Sequence, residues 1–496
     1  MPEHLRALIV ILFLATTVFV LAHRSACAIS EARDFNRRRN LWFALTLAAF
    51  LTHSFWIYTL IAMLLLIDSN RREYNPPALF FSLMFVLPVA IVQIPAMGLI
   101  NFLFDLSHLR ILTLFILLPV FFLLLRENDN LSFGRIGTDK ALAAYLALIF
   151  ILSLLREPSL TNSFRQAFYL FIDIFLPYFV ISRTLKNLQF FRDALLSMVL
   201  AILVLAALAA FESYKHWLLY SSLLTALDLQ EGMTGYLGRG GMLRVSASAG
   251  QPIVLGYLMA VGMGLYLFLQ RSIQPKFVRR SGMVLLAVGL IVPLSRGPWI
   301  GSAVLFFVYI ATGRNPARRL MGMALMGLLV LPLFALLPGG EKVINLLPFV
   351  GSTEKENIDY RENLIANSMI VIQRNPWFGS IDFLEAPEME AMRQGQGIID
   401  IVNSYIAVTL NTGYVGLGLF VSFFVMTLFG IFRAMRSIPD KDSEEYLLGR
   451  ALLSTLLAIM VIIITVSSIS FIPIVYWSIA GMGVAYAQMV KKNTVH

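Results

Sequence analysis

Runs of apolar residues long enough to cross about 30 Å of hydrocarbon as a helix recur along this chain. They fall at 5–23, 41–67, 77–98, 107–125, 140–155, 166–183, 191–211, 251–270, 281–312, 320–337, 403–432, 449–467 and 470–487. No other feature restricts the fold so much, because a lipid-embedded backbone must satisfy its own hydrogen bonds as a helix or a closed barrel. With 58% apolar and 14% charged residues over a length of 496, the chain could not cover a water-soluble globule. The expectation is an all-α polytopic membrane protein of about 12–14 transmembrane helices, one integral membrane domain over 1–496, with two larger loops at 212–250 and 338–400. The run 281–312 divides into two short spans, since Ser295, Arg296, Gly297 and Pro298 interrupt it with a charge and two helix breakers.

Lys and Arg in the short loops set the orientation. The segment 271–280 holds Arg271, Lys276, Arg279 and Arg280, and 313–319 holds Arg314, Arg318 and Arg319; Lys491 and Lys492 lie near the C-terminus. These mark the cytoplasmic side, which puts both large loops on the opposite face. The second loop carries ten Asp and Glu against five Lys and Arg, as suits a non-cytoplasmic segment. The net charge of +10 then reflects anchoring and gives no reason to invoke nucleic acid. One segment resists simple alternation: Arg24, Arg33, Arg37, Arg38 and Arg39 fall outside if 41–67 is a single span. Either that run is a hairpin broken near His53 and Ser54, or the first run lies differently. The first run itself is expected to be an uncleaved anchor, because Arg24 sits where a signal peptide would be cut. A single cysteine, Cys27, leaves no internal disulfide framework, and no metal or cofactor is expected.

Chemistry could sit in the two outward loops. "GYLGRGGMLRVSASAGQPIVLG" (235–256) combines glycines with Arg239 and Arg244, followed by Gln251. Glycine lets a backbone approach an anion, and arginine offers a permanently charged fork matched to phosphate. A flexible loop pairing its arginines with the acidic second loop is the alternative. In that second loop Leu364, Ile365, Ser368, Met369 and Ile372 recur at helical spacing. They predict an amphipathic helix over 359–374 on the membrane surface, with Arg361 and Glu362 in its first turn. Arg296, a charge inside an apolar run, is a functional candidate, with pairing to a neighbouring carboxylate or carbonyl as the alternative.

Taken in order, "RVSASAGQPIVLG", "SRGPWIG", "YRENLI…NPWFG" and "VNSYIAVTLNTGYVGL" resemble the O-antigen ligase and Wzy polymerase superfamily of bacterial envelope enzymes, over roughly 190–430. The resemblance implies a multi-pass protein of the cytoplasmic (inner) membrane with its active site facing the periplasm. It implies an enzyme that takes a glycan from an undecaprenyl diphosphate-linked oligosaccharide donor. The family's two essential periplasmic arginines fall on Arg244 and Arg361, implying a diphosphate clamp. Arg239, Gln251, Arg296 and Glu362 are further candidates for substrate binding.

The sequence departs from the ligase motif in one place, since Val402 stands where ligases have histidine, before Asn403, Gly413 and Gly416. The candidate base is instead Asp400, since a carboxylate partly desolvated at a membrane mouth would suit that role, with a helix cap as its alternative. Asn403 and Tyr405 are expected to orient the acceptor sugar. The expected activity is polymerisation onto a lipid-linked acceptor repeat, making exopolysaccharide, capsule or O-antigen, with a chain-length regulator as a further partner. A ligase of the same superfamily, or a lipid-linked glycan or solute transporter, is the alternative.

Overall fold

The computed structural model describes residues 1–96, 101–127, 132–229, 236–239, 241–325, 355–394 and 397–495. The chain folds as the apolar runs require, into a polytopic bundle of helices with two small hairpins. In chain order the helices are α1 (Glu3–Ile29), α2 (Ala32–Leu51), α3 (Phe55–Arg71) and α4 (Pro76–Leu83). The hairpin β1–β2 (Val92–Pro95, Phe102–Leu106) follows, then α5 (His108–Arg126), α6 (Gly137–Arg156), α7 (Leu160–Thr184) and α8 (Leu188–Lys215). After the first loop come α9 (Pro252–Leu269), α10 (Lys276–Ile291), α11 (Arg296–Ala311) and α12 (Lys355–Arg374). The chain closes with α13 (Ser404–Arg436), α14 (Glu444–Ile462) and α15 (Ile472–Val495). Among the described residues, eight helices have both the length and the composition to cross a membrane. The span expected at 320–337 lies for the most part outside the described residues.

The basic segments share one end of the bundle. Arg192 pairs with Glu444, and Asp442 accepts Arg314 at 3.3 Å with Arg271 at 3.9 Å. Arg38 belongs to the same end, so the run 41–67 is a hairpin: α2 and α3 meet at a turn where His53 takes φ 50°. That turn lies at the far end, with His53 against His4 at 5.2 Å between ring centroids and Glu3 accepting from Trp217 at 2.8 Å. The arginines of 24–39 thereby rejoin the other basic loops.

Arg38 shows what a charge must do to stay inside such a bundle. Its guanidinium bridges Glu73 at 2.6 Å and Asp193 at 2.6 Å, with both carboxylate side chains fully covered. Asn75 Nδ2 donates to the same Asp193 at 2.9 Å, so α2, the α3–α4 turn and α8 are joined by one network. Removing one partner leaves buried charge unpaired, so Arg38→Ala should lower stability by about 3–5 kcal/mol. Arg314→Ala, whose side chain is 71% exposed, should leave the unfolding midpoint in detergent unchanged.

The span expected at 77–98 is corrected. Its helix stops at Leu83 and the chain turns toward β1, because Pro88 cannot continue the ladder and the β-branched run after it favours extended backbone. The carbonyls released at the stop find distant donors: His108 Nε2 donates to Leu83 at 2.9 Å, and Ser248 Oγ to Phe85 at 2.6 Å. Tyr58 in turn donates to His108 Nδ1 at 2.7 Å.

Candidate functional site

The site is built around a second break. Between α10 and α11 the chain unwinds at Val292–Ser295, with Leu294 at φ 54°; Gly297 and Pro298 fall in the first turn of α11, where proline is tolerated. Unwinding frees carbonyls, and the first-loop arginines take them. Arg244 donates from Nε to Pro293 O at 3.4 Å and from Nη2 to Ser295 Oγ at 3.3 Å, while Arg239 Nη1 donates to Leu294 O. Arg296 opens α11 itself.

A residue absent from the sequence-based candidates holds this loop. Glu212, fully buried near the end of α8, accepts from Leu219 N at 2.9 Å through Oε1, and from Ser246 N at 3.2 Å and Ala247 N at 2.9 Å through Oε2. The last two amides lie two and three residues beyond Arg244, so the carboxylate fixes where that arginine leaves the loop. An acid at the end of an apolar run was the available signal. Glu212→Ala strands three buried N–H groups and should cost at least about 2 kcal/mol, read as an earlier thermal unfolding transition.

The second loop arrives at the same break from the other side. Arg361 Nη2 donates to Thr465 O at 3.4 Å, and Thr465 packs on the start of α11 so closely that a Cβ on Gly297 would lie 2.2 Å from its hydroxyl. Burial and then the Arg239 guanidinium, with Arg296 adding to them, push Arg361 below the usual arginine range, while Asp400 opposes the shift. Arg239, Arg244, Arg296 and Arg361 are thus gathered about one break, with Asp400 as their neighbouring carboxylate. Among the described residues no three His, Cys, Asp or Glu side chains gather as metal ligands would, and the positive charge of the site is arginine.

Asp400 is exposed and is fixed by its backbone: Tyr360 Oη donates to Asp400 O at 3.0 Å and accepts from Asp400 N at 3.2 Å. Its carboxylate accepts from Ser467 Oγ at 2.7 Å. The capping alternative for Asp400 is corrected, because the helix starts at Ser404 and Asn403 is the cap, accepting from Tyr405 N at 2.9 Å and Ile406 N at 3.2 Å. The partial desolvation on which Asp400's role as a base rested is corrected too, since the side chain faces solvent.

Ser404 continues this wall, its amide donating to Ile463 O at 2.9 Å and its hydroxyl to Val466 O at 2.7 Å. The turn 463–468 therefore carries both Arg361 and Asp400, a role that its own short polar sequence did not announce. Tyr405 points elsewhere, donating to Met460 O at 3.0 Å. Gln251 is half-buried at the N-cap of α9, and Glu362 is exposed beside Arg361.

The helix expected over 359–374 forms as α12, but its apolar face turns onto protein as well. Leu364, Val371 and Ile372 bury against Phe383, Met389, Met392 and Leu410, whereas Ile365 and Met369 stay exposed. Val402 joins that small core as a partly buried filler.

The glycine motif closes the site from behind. Within α13 the backbone breaks at Gly413, φ 66° and ψ −169°, a conformation essentially confined to glycine. Across the gap lies the turn of "NPWFG": Tyr414 N donates to Pro376 O at 2.8 Å, Val415 N to Trp377 O at 3.2 Å, and Ser380 N to Leu410 O at 2.9 Å. Arg156 completes the joint, donating to Asn411 O, Phe378 O and Gly379 O at 3.2, 3.1 and 3.0 Å. Two interrupted backbones satisfy each other, and the second loop is thereby tied to the helix that follows it.

Residues 281–421 match the model of the O-antigen ligase family. That range takes in Arg296, Arg361, the 375–379 turn, Asp400, Asn403 and Gly413. No curated protein matches the chain.

Proposed function

We propose, from the O-antigen ligase domain at residues 281–421, that this member of the O-antigen ligase and Wzy superfamily is a Wzy-type polymerase. It transfers glycan from an undecaprenyl diphosphate-linked donor to a lipid-linked acceptor repeat at the periplasmic face of the inner membrane, without a metal. The observation that carries this reading is the convergence of Arg244 and Arg361, 117 residues apart in sequence, on the α10–α11 break. A hydroxyl oxygen of the acceptor attacks the anomeric carbon as its bond to the diphosphate oxygen breaks, inverting that centre. The hydroxyl proton passes to Asp400, and the electron pair leaves with the diphosphate. Fixed guanidinium groups stabilise the charge that grows on the leaving group.

An apolar cavity of about 430 Å³ supports a lipid-linked donor. It runs between α1, α8, α9 and α10, and reaches Val288, five residues before Pro293, so an isoprenoid tail could lie below a diphosphate held at the break. Val402 bears on the choice of acceptor. An apolar side chain packed in the second-loop core cannot exchange a proton where the ligase motif has histidine, which favours the polymerase over a lipid A core ligase.

The test is polymer formation by the purified protein from lipid-linked repeats. Asp400→Asn keeps the Ser467 hydrogen bond but not the base, and should slow polymer formation by roughly 100-fold. Unimpaired polymer from that variant would remove Asp400 from the mechanism; no polymer from the wild-type protein would remove the polymerase reading itself.

A further inference from the structure

A second cavity, this one polar and of about 530 Å³, opens farther along α13, between the β1–β2 hairpin, the α6–α7 turn and residues 411–412. That volume lies within the range of about 300–1,000 Å³ typical of small-molecule sites. Its chemistry differs from that of the arginine site. Arg165 is committed to its walls, donating to Phe102 O at 2.7 Å, Leu103 O at 2.9 Å and Asn162 Oδ1 at 2.7 Å, with its guanidinium 3.7 Å over the Phe102 ring. Arg156 is committed to the Gly413 joint. Two acids of the lining, Asp105 and Glu157, balance these two arginines.

The lining therefore offers a diphosphate no excess of positive charge. It offers a polyol what it needs: carboxylate acceptors, the planar amides of Asn162 and Gln166, and an aromatic ring at its edge. Position agrees with chemistry. Asn411 on the cavity wall is seven residues beyond Ser404, about 10 Å along a helix at 1.5 Å per residue, within reach of a short oligosaccharide engaged at the break.

We infer that this cavity is a saccharide subsite, holding neutral sugar residues of the glycan whose reacting end lies among the arginines. This rests on the polymerase reading given above. The probe is the reducing oligosaccharide released by mild acid from the host's own lipid-linked repeat, titrated calorimetrically into the full-length protein in nanodiscs. Asp105→Asn combined with Gln166→Ala should weaken binding roughly tenfold and shorten the polymer made from lipid-linked repeats. Asn162→Ala, on an exposed side chain, should shift both readouts in the same direction; Arg314→Ala, at the far end of the bundle, should shift neither. Wild-type affinity and polymer length in both cavity variants would overturn the inference. A wild-type protein that binds the free oligosaccharide yet transfers nothing would sink the polymerase reading and leave the subsite standing.

Discussion

Arg361→Lys and Arg244→Lys should each make polymer from purified lipid-linked repeats at least about 100-fold more slowly than the unaltered protein, while eluting and unfolding as it does. Losing one preorganised donor to a developing anion typically costs that much. Lysine keeps the charge but replaces a planar fork with a single ammonium, which does not span two phosphate oxygens. The structure gives a reason to expect intact folding. Arg361 donates to Thr465 O at 3.4 Å, and Arg244 donates to Pro293 O at 3.4 Å and to Ser295 Oγ at 3.3 Å, contacts long enough to be weak. They can be exchanged for an anion at little cost to the fold. Near-normal rates in both lysine variants would show that charge alone suffices, and the clamp would lose its geometric basis. Loss in Arg361→Lys with none in Arg244→Lys would confine the leaving-group role to the second loop.

The opposite separation of effects is expected at Gly413. There an added Cβ would sit 2.2 Å from the Trp377 carbonyl carbon and 2.3 Å from Phe378 N, on a backbone already at positive φ. Gly413→Ala must therefore push the 375–379 turn off α13 and open the joint that Arg156 caps. Backbone strain alone costs of order 1–3 kcal/mol, and the displaced hydrogen bonds add about 1 kcal/mol each. The variant should unfold at a markedly lower temperature in detergent, and polymer formation should fall with the folded fraction. Gly418→Ala provides the contrast, since an added Cβ there meets nothing within 4 Å. Equal stability in the two variants would mean that the joint bears no part of the fold.

The Gly413 joint also explains how motifs separated in sequence act together. "NPWFG" and the glycines after Asn403 are two halves of one backbone contact, and their order in the chain follows from the second loop folding back onto the helix it precedes. Arg361 and Asp400 share the 463–468 turn for a similar reason. Tyr360 grips the backbone of Asp400 at 3.0 and 3.2 Å, so the start of α12 and the approach to α13 move as one piece.

By itself, the sequence determined the class of the fold and singled out the loops from which the candidate site is built. Apolar runs of span length leave a chain few alternatives in lipid; the break in 41–67 is marked by His53 and Ser54, and that in 281–312 by Ser295–Pro298, although the helix gives way at Val292–Ser295 and Gly297 and Pro298 fall in the next one. Arginines in glycine-rich or amphipathic outward segments are legible because their chemistry is intrinsic to the residue. Tertiary structure alone decided which polar groups answer one another. The stop of α4 at Leu83 depends on donors from His108 and Ser248; the course of the Arg244 loop depends on Glu212; the cap of α13 is Asn403 because Asp400 is held by Tyr360 and Ser467. Propensity and periodicity act over a few residues, whereas a buried carbonyl or carboxylate is satisfied by whatever donor the packed bundle brings within about 3 Å. That partner can lie 163 residues away, as Ser248 does from Phe85, and no local pattern encodes it.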